Sequence, residues 1–254
     1  MTYCGGSIIK PTVVISAAHC FVPMKEKRWK TFLGNKRVAT QIVAASYAVA
    51  ENLLNKAETP ETSKGQWRKL AFVKIPFQYR FPQNDLAIVH LQNRLIFNDF
   101  VKPIAYTTKP IDFRGFECLI VGYGKKTDEL ISHELRKAFV TIQSEQLCYL
   151  LLGKCAKIKN IVCSVDKVTN VLEGDSGGPL VCNGTGDPKE GPYGIVIGVA
   201  SFICPGIGAG FTRVSNFDKF ILTNRDNNAM TNLVMVLTCL FSVLKFTRTS
   251  FVVS

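Results

Sequence analysis

Three short motifs lie far apart in this chain and make chemical sense only in a fold that brings them together. Gly174-Asp175-Ser176-Gly177-Gly178-Pro179 sets a serine between glycines, Ala17-Ala18-His19-Cys20 carries a histidine, and Asn84-Asp85-Leu86-Ala87 carries an aspartate. Each alone has a plain structural reading, since Gly-Asp-Ser-Gly is good turn chemistry and a single histidine beside a cysteine is commonly just packed. In the order His, Asp, Ser they read as a base, an orienting acid and a nucleophile.

The chemistry explains the residue types. A serine hydroxyl is a poor nucleophile at neutral pH and needs a base that takes its proton during attack and returns it to the leaving group. His19 fits that role. The imidazolium so formed needs a carboxylate on its other nitrogen, and Asp85 is the candidate. The backbone N–H groups of Gly174 and Ser176 are the candidate donors to a developing oxyanion, where loss of one donor typically costs about 10²–10³ in rate.

With 254 residues, 47% of them hydrophobic and 20% charged, the chain is long enough to bury a sizeable core. Short apolar runs such as Val13 to Ala17, Leu86 to Leu91, Cys118 to Gly122 and Ile195 to Phe202 are bounded by Gly, Pro or polar residues and read as strands. The best stretch with helical spacing is Asn216 to Asn224, where Phe217, Phe220 and Ile221 share a face.

The chain resembles the chymotrypsin-type (trypsin-like, S1 family) serine endopeptidases over roughly Tyr3 to Asn224. The resemblance rests on Cys4-Gly5-Gly6-Ser7, Val14-Ile15-Ser16-Ala17-Ala18-His19-Cys20, Asn84-Asp85-Leu86-Ala87, Val121-Gly122-Tyr123-Gly124, Gly174-Asp175-Ser176-Gly177-Gly178-Pro179-Leu180-Val181-Cys182, Gly198-Val199-Ala200-Ser201-Phe202 and Phe211-Thr212-Arg213-Val214. It implies an all-β fold of two six-stranded antiparallel Greek-key barrels, the first lacking its opening strand, with a short C-terminal helix. The protease domain would span 1–224, with lobes at about 1–106 and 107–224, followed by a tail at 225–254. It implies hydrolysis of peptide bonds through an acyl-enzyme, with His19, Asp85 and Ser176 as the triad. Ser201 would hydrogen-bond Asp85, and the backbone of Ser201, Phe202 and Ile203 would pair with extended substrate. No cofactor or metal is expected, and the domain is expected to be monomeric.

Nine cysteines without a Cys-x-x-Cys pair favour disulfides in an oxidising compartment over a metal site. The family pattern implies Cys4–Cys20, Cys118–Cys182 and Cys148–Cys163. Cys155, Cys204 and Cys239 remain. Family members bridge the position four residues before the nucleophile, which is Leu172 here, so Cys204 is assigned to Cys155 instead.

Departures from the family pattern concern specificity and activation. Asn170 stands where a trypsin would place an aspartate, so cleavage after Lys or Arg is not expected. Ile203 and Ala209 align with pocket walls that are glycine in enzymes accepting large side chains, which points to small apolar residues before the cleaved bond, with a chymotrypsin-like preference as the alternative. Glu173 is read as a solvated side chain beside the nucleophile. The family's secreted zymogens are cleaved to create an amino terminus that pairs with the aspartate before the nucleophile, here Asp175. The chain begins three residues before Cys4, so in this form it is expected to behave as an unactivated zymogen.

The remaining features are less specific. The run 229–244 is apolar but short for a membrane span, which needs about 20 residues, so a membrane association of the tail stays open. A formal net charge of +12 is read as a solvated basic surface without a nucleic-acid motif. Asn183-Gly184-Thr185 fits a glycosylation acceptor. His90 and His133 lack ligand-like spacing. A secreted endopeptidase is the leading reading, with protein or peptide substrates, protein inhibitors and an upstream activating protease as partners. A non-catalytic homologue using the same scaffold for binding or regulation is the alternative.

Overall fold

The computed structural model describes residues 3–22, 36–37, 46–50, 65–125, 132, 135–153, 161–166, 171–225 and 250–252. Strands dominate. The first group comprises β1 (Tyr3–Cys4), β2 (Ser7–Lys10), β3 (Val13–Ser16), β4 (Lys36–Arg37), β5 (Tyr47–Ala50), β6 (Gln66–Ile75) and β7 (Ala87–Leu91). The second comprises β8 (Ala105–Tyr106), β9 (Glu117–Gly122), β10 (Arg136–Thr141), β11 (Ile161–Ser164), β12 (Pro179–Cys182), β13 (Ile195–Cys204) and β14 (Gly208–Arg213), and β15 (Ser250–Val252) closes the series.

These strands form two curled sheets. The first runs β1-β15-β5-β6-β7-β3-β2, with β4 paired to β6, and the second runs β10-β9-β12-β13-β14-β11, with β8 paired to β13. Pairing is antiparallel except where β15 meets β1 and β5 and where β8 meets β13. The main path of the second sheet has six strands, as does that of the first without β15, which matches the two-barrel architecture expected from the motifs. Between Leu91 and Ala105 the chain passes from the first sheet to the second.

The core follows the apolar runs. All four residues of β3 and all five of β7 are buried, and the two strands pair in the register Val13↔His90 to Ser16↔Ala87. Such continuous burial reflects coverage on both faces of the sheet. One large cluster includes Ile15, Leu70, Ile88 and Leu95 and draws in Val199 and Ile221 from the second half of the chain, while a second cluster gathers Ile120, Leu180, Ile197 and Phe211. Packing is therefore shared between the two sheets.

Among the described residues, two short α-helices accompany the sheets. The closing helix α2 spans Asp218–Arg225 and follows a 3-10 turn at Val214–Phe217, so Asn216 and Phe217 belong to the turn rather than the helix. Asp218 in its first turn and Arg225 in its last suit the helix dipole. The other helix, α1 (Glu145–Leu152), was not foreseen from the sequence. Its residues Leu147 and Tyr149-Leu150-Leu151-Leu152 hide the period, yet only Cys148 and Leu152, four apart, are buried. Ser144 caps it, accepting a hydrogen bond from the N–H of Leu147 at 3.2 Å.

Candidate active site

β3 runs into a 3-10 turn, Ala18–Cys20, with His19 at its centre, and the Cys4–Cys20 disulfide ties that turn to β1. Asp85 lies two residues before β7, after Asn84, whose left-handed φ of 56° is one that asparagine tolerates. Because Ser16 pairs with Ala87, the exit of β3 sits beside the entry of β7, and His19 meets Asp85.

The contact is two-pronged. The His19 backbone N–H donates to Asp85 Oδ1 at 2.9 Å, and His19 Nδ1 lies 2.7 Å from Asp85 Oδ2. Ser201 on β13 donates its hydroxyl to the same Oδ2 at 2.6 Å, and Thr212 on β14 donates to the Asp85 carbonyl at 2.9 Å. Asp85 is wholly buried, so His19 and Ser201 take the place of water around the carboxylate. A carboxylate at Nδ1 favours the tautomer with its proton there and leaves Nε2 as the acceptor. Tyr79 senses the same charge: burial first, and Asp85 second, push its phenol well above the usual range.

The serine loop is fixed by backbone bonds to both sheets. The Gly5 N–H donates to the Ser176 carbonyl at 2.7 Å, the Gly177 N–H to Ala200 at 2.8 Å, and the Ala200 N–H to Gly178 at 2.9 Å. Gly177 has φ +81°, and a side chain there would strike Ser16 Oγ and the Gly5 carbonyl, so the turn closes onto the segment leading to His19 only because the residue is glycine. Ser176 Oγ and His19 Nε2 make no hydrogen bond with the described residues, and the N–H groups of Gly174 and Ser176 are likewise unspent.

Asp175 sets the shape of that loop from below. Its carboxylate accepts from the Gly124 N–H at 2.7 Å and the Leu172 N–H at 2.9 Å, in a cradle where a Cβ on Gly122 or Gly124 would collide with it. Burial raises its pKa, while the two N–H bonds oppose the rise. No cation pairs with it among the described residues. Alongside, the Lys125 N–H donates to the Glu173 carbonyl at 2.9 Å and Lys125 Nζ pairs with the Glu173 carboxylate at 2.5 Å, while the Glu173 side chain stays largely solvent-exposed as expected.

The expected substrate-facing residues lie on adjacent strands. Ile203 pairs with Ala209 and Phe202 with Gly210 across β13 and β14. Ala209 is buried, and Ile203 packs half-buried against the second core. Asn170 lies outside the described residues, as do His133 and the apolar run 229–244. Asn183 is exposed in the turn after β12, next to Gly184 and Thr185, both held by the Glu190 carboxylate.

Three residues that matter to this geometry were not singled out from the sequence. Phe81 packs edge-on against the His19 ring, with centroids 5.3 Å apart and 54% of its surface exposed. Thr212 and Lys125 are the others; Thr212 lies within the run Phe211-Thr212-Arg213-Val214 without a role assigned there, and no local pattern marks Phe81 or Lys125.

The cysteines are oxidised where they are described. Cys4–Cys20, Cys118–Cys182 and Cys148–Cys163 are bonded at 2.04, 1.98 and 2.06 Å. Cys204 is also disulfide-bonded, while Cys155, its expected partner, lies outside the described residues, as does Cys239. Cys4, His19 and Cys20 bring potential metal-binding atoms within 4.8 Å of one another, but both sulfurs are in the disulfide and neither is a thiolate. No described helix is long and apolar enough to cross a membrane.

Comparison with known proteins agrees with this geometry. The family model described as Trypsin matches residues 1–221. Ovochymase of Halocynthia roretzi is 24% identical over 244 residues, covering 91% of this chain and 14% of the relative. Urokinase-type plasminogen activator of Gallus gallus is 27% identical over 235 residues, covering 87% and 50%, and serine protease SP24D of Anopheles gambiae is 30% identical over 226 residues, covering 87% and 71%. The chain thus spans a small part of the first relative and half of the second. With the family model covering most of its length, the chain belongs to the trypsin family of serine proteases.

Proposed function

We propose that this domain, residues 1–224, is a serine endopeptidase acting through an acyl-enzyme. The observation that carries the reading is the buried Asp85 carboxylate, held by Ser201 and bonded to both the backbone and the ring of His19. Ser176 Oγ attacks the scissile carbonyl carbon while His19 Nε2 takes the hydroxyl proton. The C–N bond then breaks, and the proton passes from His19 to the departing amine. Water, deprotonated by His19, hydrolyses the ester and restores Ser176. The unspent N–H groups of Gly174 and Ser176 support their role as donors to the oxyanion.

Specificity is proposed to exclude Lys and Arg, because Asn170 supplies no charge to pair with them. The cross-strand pair of Ile203 and Ala209 favours small apolar residues before the scissile bond. Asp175 is the proposed acceptor for a cationic amino terminus produced by an activating protease, since it is partly buried, burial raises its pKa, and no cation pairs with it among the described residues. The disulfides support an extracellular site of action, and Asn183 is the proposed glycan acceptor. Protein substrates and protein inhibitors are the expected partners.

A fluorophosphonate probe tests the mechanism. Labelling of the activated protein at Ser176, abolished in Ser176→Ala, is expected. Absence of labelling would favour a binding or regulatory homologue. A peptide library with best turnover after Arg, Lys or Phe would sink the small-residue preference.

A further inference from the structure

The first sheet contains a pairing that connects its beginning to a distant part of the chain. β15 lies between β1 and β5 and runs parallel to both, with Tyr3↔Ser250 and Cys4↔Phe251 on one side and Ser250↔Tyr47, Phe251↔Ala48 and Val252↔Val49 on the other. Among the described residues β1 pairs with no other strand, and β5 has only β6 on its far side. Without β15 this position would present two rows of backbone N–H and C=O groups, the template that an added strand recognises.

The same segment that borders this gap also touches both candidate catalytic groups. Cys4 is bonded to Cys20, the neighbour of His19. Gly5 donates its N–H to the Ser176 carbonyl at 2.7 Å and accepts from Ser16 Oγ at 2.9 Å, just ahead of the His19 turn. A movement of β1 away from the sheet therefore has a short covalent and hydrogen-bonded path to the nucleophile and to the base.

We infer that the gap between β1 and β5 is a strand-acceptor site, filled by the chain's own residues 250–252, and that its filling braces the segment 3–5 and, through it, Ser176 and His19. Recognition is through the backbone, and the β-favouring Phe251 and Val252 suit an extended occupant. A strand of three residues makes few ladder bonds, so docking is a local equilibrium that opens without global unfolding. These residues are positioning residues, and the activity arm of the inference rests on the function proposed above, whereas the docking arm does not.

The test uses the full chain. Phe251→Pro removes the central N–H of β15, and Phe251→Val keeps it. Hydrogen exchange at residues 3–5 and 47–50 is expected to quicken at least tenfold in Phe251→Pro and to return to the parental rate in Phe251→Val, with β12 to β14 unchanged in both. A separate Tyr47→Cys, Ser250→Cys double variant should form a 47–250 disulfide by mass spectrometry, because neighbouring strands lie about 4.8 Å apart, within disulfide reach. Unchanged exchange in Phe251→Pro overturns the site, and so does failure to cross-link in protein that keeps its native disulfides. If Phe251→Pro does not fold, the cross-link decides.

Fluorophosphonate labelling of Ser176 should slow several-fold in Phe251→Pro and recover in Phe251→Val. Parental labelling in a Phe251→Pro protein whose exchange has quickened overturns the bracing. No labelling of the parent together with a formed cross-link would instead overturn the proposed catalytic function and leave the strand site standing.

Discussion

The Asp85 carboxylate is served by His19 and Ser201, with Thr212 holding the Asp85 backbone carbonyl, and its energetics are those of a buried charge that must be hydrogen-bonded. Ser201→Ala deletes one donor to that charge, and hydrogen bonds to charged groups are worth about 1.5–3 kcal/mol. A stability loss in that range by urea denaturation is the expected outcome. Asp85→Asn keeps the shape but misassigns the His19 tautomer, and a fall in kcat of about 10⁴ is expected, with binding of peptide little changed. His90 provides a second residue-scale prediction. It is fully buried with Phe72 stacked on its ring at 4.2 Å, and burial holds its pKa down at about 4, with the Asn224 backbone opposing and Lys74 reinforcing the shift. The unfolded chain, with a histidine near the ordinary 6.5, therefore takes up the proton first. Stability present in full above about pH 6.5 is lost as the pH falls towards about 4, by about 3 kcal/mol. His90→Phe should remove that part of the slope in pH-dependent unfolding, and an unchanged slope would assign the acid sensitivity to other groups.

Among elements, the loop from Leu172 to Gly178 depends on its seat against the end of β9. A Cβ at Gly124 would enter the space of the Asp175 carboxylate, so Gly124→Ala must displace either that side chain or the loop. Probe labelling of Ser176 should fall at least tenfold in Gly124→Ala. Gly191→Ala, where an added Cβ meets nothing within 4 Å, should stay within about 0.5 kcal/mol of the parent in stability. The helix α1 shows why some elements escaped the sequence reading. Leu147, Tyr149, Leu150 and Leu151 give an apolar run with no polar face, yet Tyr149 and Leu150 are exposed, and the helix is docked by the Ser144 cap, the Cys148–Cys163 bridge and Leu152 buried against Ile161 and Cys204. The closing helix was legible because Phe217, Phe220 and Ile221 stand at helical spacing, and Ile221 is buried on its inner face.

For the whole molecule, stability is distributed over two sheets with linked cores, and the disulfides act by restricting the unfolded chain. The Cys148–Cys163 bridge, with a sequence separation of 15, joins α1 to β11. Replacing both cysteines by serine is expected to cost about 3 kcal/mol, read as a lowered midpoint in urea, on the loop-closure argument. Probe labelling at a temperature where both proteins are folded should be preserved. If labelling vanished with the bridge, α1 would have to be coupled to the active-site loop.

Sequence alone determined the chemical vocabulary: a histidine, an aspartate and a glycine-flanked serine in motifs specific enough to identify a family, and apolar runs of strand length. These are local properties, carried by residue type and spacing. Tertiary structure decided which groups complete the site. Phe81 and Lys125 sit in unremarkable sequence, and Thr212, although within a family-like run, acquires its role only from strand register and loop closure. It also decided that Ser250–Val252 lies between β1 and β5, since a three-residue strand has no periodicity to read and its place is set by backbone groups more than 200 residues away.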